Sequence, residues 1–178
     1  VGSKVGADFT RKAIIAVILS WIAILIYVAW RFEFRYAMGG ILALIHDTLI
    51  VIGAISVMNM EFTISILAVV IFVIGFSIND TIVTLDRIRE IVKKHSKQKL
   101  SDIINSAINQ TLSRTILTSL TVFFTVLALY IFGGAVIRDF AFALLIGTVV
   151  GTYSTIYIAC TSVLFFEKLQ PVKTKRTR

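Results

Sequence analysis

Two carboxylates stand where the surrounding residues are apolar. Asp80 ends the stretch GFSIND, residues 75–80, directly after an uncharged run over 62–79. It precedes the charged DRIRE segment at Asp86 by six residues, roughly 9 Å along a helix. A carboxylate at that depth in hydrocarbon is costly and characteristically faces a bundle interior or a watery cavity. Arg114, which opens a second uncharged run over 115–137, is its natural counter-charge. Desolvation and a nearby guanidinium act on a carboxylate in opposite senses, and the balance leaves a group able to exchange a proton. That is the chemistry of a proton relay, with Asp80 and Arg114 as its members. The plainer alternatives are that Asp80 only hydrogen-bonds between helices, with Asn79 as partner, and that Arg114 snorkels from a helix end.

The second carboxylate is Asp47, preceded by His46. The pair follows Arg35 by about twelve residues, roughly 18 Å of helix and close to mid-membrane. It reads either as a second proton-handling group or as a buried polar knot with Thr48, Ser77 or another helix.

Peptidase chemistry is a poor fit. An intramembrane aspartyl site needs two facing carboxylates that share a proton, usually in a Gly-x-Gly-Asp context, whereas SIN precedes Asp80. A serine site fares no better: GFS lacks a following Gly, and neither His46 nor His95 is a compelling base. The expected class is therefore not an enzyme, with no catalytic residue, no metal and no cofactor.

The elements that must carry these residues follow from charge spacing. The chain is 57% hydrophobic, with a mean hydropathy of +0.91, too apolar for a soluble domain of 178 residues whose outside must stay polar. Charge-free runs over 13–30, 62–79, 115–137 and 140–166 each reach 18 residues or more, about what a helix needs to cross a ~30 Å hydrocarbon core. A further run, 36–60, is interrupted only by His46 and Asp47. The fold class is an all-α integral membrane protein with five transmembrane helices, at about 13–30, 37–57, 63–84, 115–133 and 141–166. An extracytoplasmic lead-in (1–12) precedes the bundle (13–167), and a basic tail (168–178) follows it.

Residues 85–114 form the sizeable polar segment. DRIREIVKK extends span three as a helix, HSKQK breaks it, and Leu100, Ile103, Ile104, Ala107, Ile108 and Leu112 recur at helical spacing, with Ser101 as the expected N-cap. This predicts a cytoplasmic amphipathic helix lying in the interface or against its neighbours. Asp86, Arg87 and Arg89 anchor span three at the surface. The small residues of GTVVG (147–151), followed by Ser154, predict close helix approach.

The net charge of +8 marks orientation rather than nucleic-acid binding, since no such motif is present and the basic residues flank apolar spans. Counted by side, 4 Lys and Arg fall with the N-terminus, the turn near Glu61 and the Arg138 loop, against 14 on the other face. The positive-inside rule makes that second face cytoplasmic, so the N-terminus is outside and the C-terminus inside. A basic N-terminal dozen residues on the outer face is most simply explained by an earlier span, so the chain is expected to lack its true N-terminus. Cys160, the single cysteine, lies in the last span and is silent about redox compartment.

SINDTIVTLDRIRE (77–90), INQTLSRTILTSL (108–120) and FGG…RDFAFALLIGTVVGTYSTIYIA (132–159), together with the HD pair and the opening VGSKVG, resemble the SecD/SecF family of export membrane proteins, specifically its SecF-type members. The resemblance covers essentially 1–167. It implies kinship with the proton-driven resistance-nodulation-division transporters and a place in the cell membrane. Its implied partners are SecD, the Sec protein-conducting channel with its motor ATPase, exported preproteins and the lipid bilayer, with no nucleic acid. Protons would be the coupling ion. SecF-type members have six spans and an extracytoplasmic domain between the first two, so the five spans here would match the second to sixth. The family's intramembrane aspartate falls on Asp80 and its arginine on Arg114, both implicated in proton conduction at the SecD–SecF interface. Asp47, Asp86, Arg87 and Arg89 match as well. A scaffold role, stabilising SecD and the channel without proton conduction, is the alternative.

Overall fold

A computed structural model describes residues 3–60, 63–95 and 97–169. Six α-helices run in order: α1 (Ser3–Arg31), α2 (Phe34–Val57), α3 (Ile64–Lys94), α4 (Leu100–Phe132), α5 (Gly134–Ser154) and, after a π-helical turn over Thr155–Ala159, α6 (Cys160–Leu169). No strand occurs among the described residues. Helix is the expected outcome for such runs, because a spanning segment must satisfy its backbone N–H and C=O groups internally. The chain's one proline is Pro171, so none interrupts a helix among the described residues. Five segments are long and apolar enough to cross a membrane: Ile14–Arg31, Phe34–Val57, Ser65–Lys94, Leu100–Phe132 and Ile137–Lys168. The protein is a multi-pass, all-helical membrane protein.

Helix ends depart from the sequence-based expectation in several places. The segment expected as a lead-in over 1–12 is helical from Ser3. Within 85–114, DRIREIVKK extends α3 to Lys94 and helix resumes at Leu100, as expected, but the second helix is not separate from span four: α3 and α4 are continuous helices of 31 and 33 residues. Ser101 is not the N-cap, since Lys99 holds that position and the Ser101 hydroxyl donates to Asp102 Oδ1 at 3.4 Å. The last span is longer than 141–166 and contains the π turn. The expectations for Glu61, for Ser96 in HSKQK and for 170–178 of the basic tail lie outside the described residues.

α3 and α5 form the centre of the bundle, with α2 and α4 packed against both. α1 borders α2 and α3, yet almost all of its span lies on the outside of the structure. The GTVVG seam brings α5 onto α3. A Cβ added at Gly147 would sit 2.1 Å from Val73 Cγ2, and one at Gly151 would sit 3.2 Å from Ser77 Cβ. Small residues there allow the two backbones to approach, which is how spanning helices gain contact in a solvent as apolar as their own side chains.

The polar ends of α3 and α4 pack as a hairpin. Leu85, Ile88 and Ile91 of α3 and Leu100, Ile103, Ile104 and Ala107 of α4 are buried in one apolar cluster. This satisfies the periodicity without an interfacial helix. Across the hairpin, Arg87 Nε donates to Gln110 Oε1 at 2.7 Å, while Arg87 also pairs with Glu90. Asp86 binds Arg31 of α1 at 2.8 Å. Arg89 is half-buried, and its Nε has no partner. The DRIRE charges thus tie α3 to α1 and α4. Because Arg87 and Glu90 remain well exposed, Arg87→Ala is expected to cost no more than about 1 kcal/mol. Thermal unfolding of Arg87→Ala in detergent checks that value, and a double-mutant cycle with Glu90→Ala isolates the share of the ion pair.

Candidate functional site

Among the described residues ten polar ones are buried, and these lie on α2 to α5 or the π turn: Asp47, Ser77, Asp80, Thr81, Thr84, Thr115, Ser119, Thr148, Ser154 and Thr155. Buried polar groups are normally hydrogen-bonded, and here several of the bonds cross between helices. Asp80, 8% exposed, accepts a hydrogen bond at Oδ1 from Thr115 Oγ1 of α4 at 2.8 Å. Its other oxygen, Oδ2, is buried and has no hydrogen-bond partner. A carboxylate with one oxygen held and the other unpartnered is a place where a proton can reside, since protonation turns that oxygen into a neutral hydroxyl.

Arg114 is not in hydrogen-bond contact with Asp80. Its side chain lies on the exposed side of α4, and its charge reaches the carboxylate only through space. The reason is rotational. The inner face of α4 runs through Ile103, Ile104, Ala107, Thr115, Ser119 and Val126, and Arg114 stands about 100° round the helix from Thr115. Asn79 is also exposed, so it is not the partner of Asp80. The missed residue is Thr115. Its signal was available: Thr115 and Ser119 share a stripe with Ala107, spaced in multiples of four residues.

Asp47 is completely buried and lies in a separate knot. It accepts from Ser154 Oγ of α5 at 2.7 Å and from Ser77 Oγ of α3, and its Oδ1 lies 3.1 Å from His46 Nδ1. Ser77 was an expected partner, whereas Thr48 instead bonds the Leu44 carbonyl of its own helix at 2.8 Å. The sequence marks Ser154 only as a small residue after GTVVG. Its role depends on the π turn that follows it, and no local sequence signal announces that turn.

The residue after Ser154 makes the second crossing. Thr155 Oγ1 lies 2.9 Å from Thr81 Oγ1, next to Asp80 on α3. Further along α5, Thr152 donates to Ser119 of α4 at 2.7 Å. Among the described residues no group of three His, Cys, Asp or Glu side chains is placed to hold a metal.

Five membrane-spanning segments, four of which enclose a hydroxyl-lined seam with two buried carboxylates, define a polytopic membrane protein with a polar interior. Comparison with known proteins specifies it further. Residues 1–169 match the family model described as protein export membrane protein SecD/SecF, C-terminal. A protein translocase subunit SecF from Calditerrivibrio nitroreducens is 51% identical over 96% of this chain and 57% of its own length. One from Koribacter versatilis is 45% identical over 94% of this chain and 42% of its own. A crystal structure of SecDF, a translocon-associated membrane protein from Thermus thermophilus, superposes with a TM-score of 0.89 at 43% identity, covering 94% of this chain and 23% of that one. SecDF in a super-membrane-facing form gives a TM-score of 0.86 at 42% identity over 95% of this chain and 22% of that one. The chain belongs to the SecD/SecF family of protein-export membrane proteins. It spans about half the length of the curated relatives it matches.

Proposed function

We propose that this chain is the membrane portion of a Sec export subunit that works with SecD and uses the proton gradient to promote translocation of exported polypeptides. The relatives bear the name protein translocase subunit SecF, and the similar solved structures are SecDF. The observation that carries the proton-coupled part is Asp80 in the seam, held by Thr115 on one oxygen and unpartnered on the other. Gain or loss of a proton there changes what the carboxylate can accept and donate. That biases the packing of α3 against α4 and, through the helices, any domain attached to them. In this reading Arg114 acts on the carboxylate by its charge, and the Arg87 end of the bundle faces the cytoplasm.

The test uses inverted membrane vesicles carrying the full-length protein with its partner, and measures preprotein translocation with and without the proton gradient. Thr115→Val keeps the shape of the side chain but removes the donor to Asp80. A hydrogen bond to a charged group contributes about 1.5–3 kcal/mol, so the gradient-dependent part of export is expected to fall roughly tenfold or more, with the gradient-independent part unchanged. Full gradient-dependent export in both Thr115→Val and the charge-neutral Arg114→Gln, with the complex assembled, would replace this reading with that of a scaffold.

A further inference from the structure

We propose that Asp47 is a positioning residue for Asp80, acting through the π turn between α5 and α6. This rests on reading Asp80 as the coupling carboxylate. A π-helical turn is a rare insertion in a helix and persists where the surroundings hold it. Here α2 grips it at both ends. At its start, Asp47 accepts the Ser154 hydroxyl at 2.7 Å. At its end, a Cβ added at Gly39 would sit 2.7 Å from the Ala159 carbonyl oxygen, so the backbones of α2 and the turn are in close approach. Asp47 also holds Ser77 of α3. One buried carboxylate thereby joins three helices.

The consequence reaches Asp80 through consecutive residues. Ser154 is fixed by Asp47, and Thr155 follows it into the turn. Thr155 meets Thr81 at 2.9 Å, and Thr81 follows Asp80 on α3. The rotation and height of α3 against α5 at this level are therefore set from both sides of Asp80, by Ser77 three residues before it and Thr81 one after. Rotating α3 by a single residue step, about 100°, would carry Asp80 away from Thr115.

The ionisable groups near both carboxylates are few. His46, on its own helix, is beside Asp47 and against the ring of Tyr153 of α5, while α3 and α5 contribute the hydroxyls of Ser77 and Ser154. Asp80 faces Thr115 and the charge of Arg114 from α4, and lies within electrostatic reach of Cys160 of α6.

The test labels Asp80 with a hydrophobic carbodiimide, which reacts with protonated carboxyl groups, in proteoliposomes of the full-length protein with its partner. Labelling at Asp80 is read by mass spectrometry across pH. Ser154→Ala and Asp47→Ala are each expected to move the labelling midpoint by about one pH unit, a tenfold change in proton affinity. Asp47→Asn, whose carbonyl oxygen still accepts both hydroxyls, is expected to restore most of the parental profile. Thr155→Val, a milder change, should shift the midpoint in the same sense if the two alanine variants fold poorly. A midpoint unchanged in well-folded Ser154→Ala or Thr155→Val overturns the proposal, as does Asp47→Asn behaving like Asp47→Ala. Shifted midpoints combined with unimpaired gradient-dependent export in Asp80→Asn would leave the positioning role standing and remove the coupling role of Asp80.

Discussion

Asp80→Asn is expected to abolish the gradient-dependent part of export while leaving membrane insertion and subunit assembly intact. Asparagine matches aspartate in size, and its carbonyl oxygen can keep the hydrogen bond that Thr115 donates at 2.8 Å. The amide takes the place of Oδ2, an atom that already lacks a partner. The packing change is therefore small, with a stability cost of about 1 kcal/mol. What disappears is the group able to bind and release a proton. Asp80→Glu, which retains that group on a longer stem, is expected to keep a measurable fraction of the gradient response. Preprotein translocation into inverted vesicles, with the gradient present or collapsed by an ionophore, separates the two variants. Parental gradient dependence in Asp80→Asn would sink the proton-coupling reading.

The largest effect on folding is expected at Gly147. A Cβ there would lie 2.1 Å from Val73 Cγ2 and 3.2 Å from Val73 Cβ. Val73 is itself 2% exposed, so the collision is with a packed side chain on α3 that has no free space to enter. Overpacking of this kind typically costs about 1–3 kcal/mol. Gly147→Ala should fall in that range, and Gly147→Leu should disrupt the α3–α5 contact. The compensating change is Val73→Ala, which removes the clashing Cγ2; the double variant Gly147→Ala with Val73→Ala should recover most of the lost stability. Fluorescence-detected size exclusion after heating in detergent would show this as a lowered, then restored, midpoint. An unaffected Gly147→Leu would mean that α3 and α5 are not in close approach at this level. Partial separation of α3 from α5 is also expected to weaken the contact between Thr81 of α3 and Thr155 of the π turn that follows α5.

Much of the fold was legible because membrane insertion imposes a crude rule. A run of some 20 uncharged residues has little choice but to be helical, and five such runs became five spanning segments. The same rule made Asp47 and Asp80 conspicuous, since a carboxylate inside such a run requires a buried partner. The GTVVG spacing pointed to close approach, and Gly147 and Gly151 make it on Val73 and Ser77. The boundaries at 85–114 were less legible. Counting charges placed the start of span four at Thr115, whereas α4 begins at Leu100. Polar residues can continue a helix past the membrane as readily as they can end one.

Residue type and spacing by themselves determined which segments span as helices, that two carboxylates are buried, and that Gly147 and Gly151 lie on a packing face. Each follows from one-dimensional physics: hydrocarbon thickness, the cost of an unpaired charge, and the spacing of small residues. The approach of Gly39 to Ala159 came only with the structure. Partner choice was decided only in three dimensions. Asp80 is held by Thr115 and not by Asn79 or a contact with Arg114, because a difference of one position turns a side chain about 100° round a helix. Asp47 reaches Ser154, 107 residues away, because helix packing and the π turn set how α5 is rotated against α2. That rotation is a property of the assembled bundle, and no single helix encodes it.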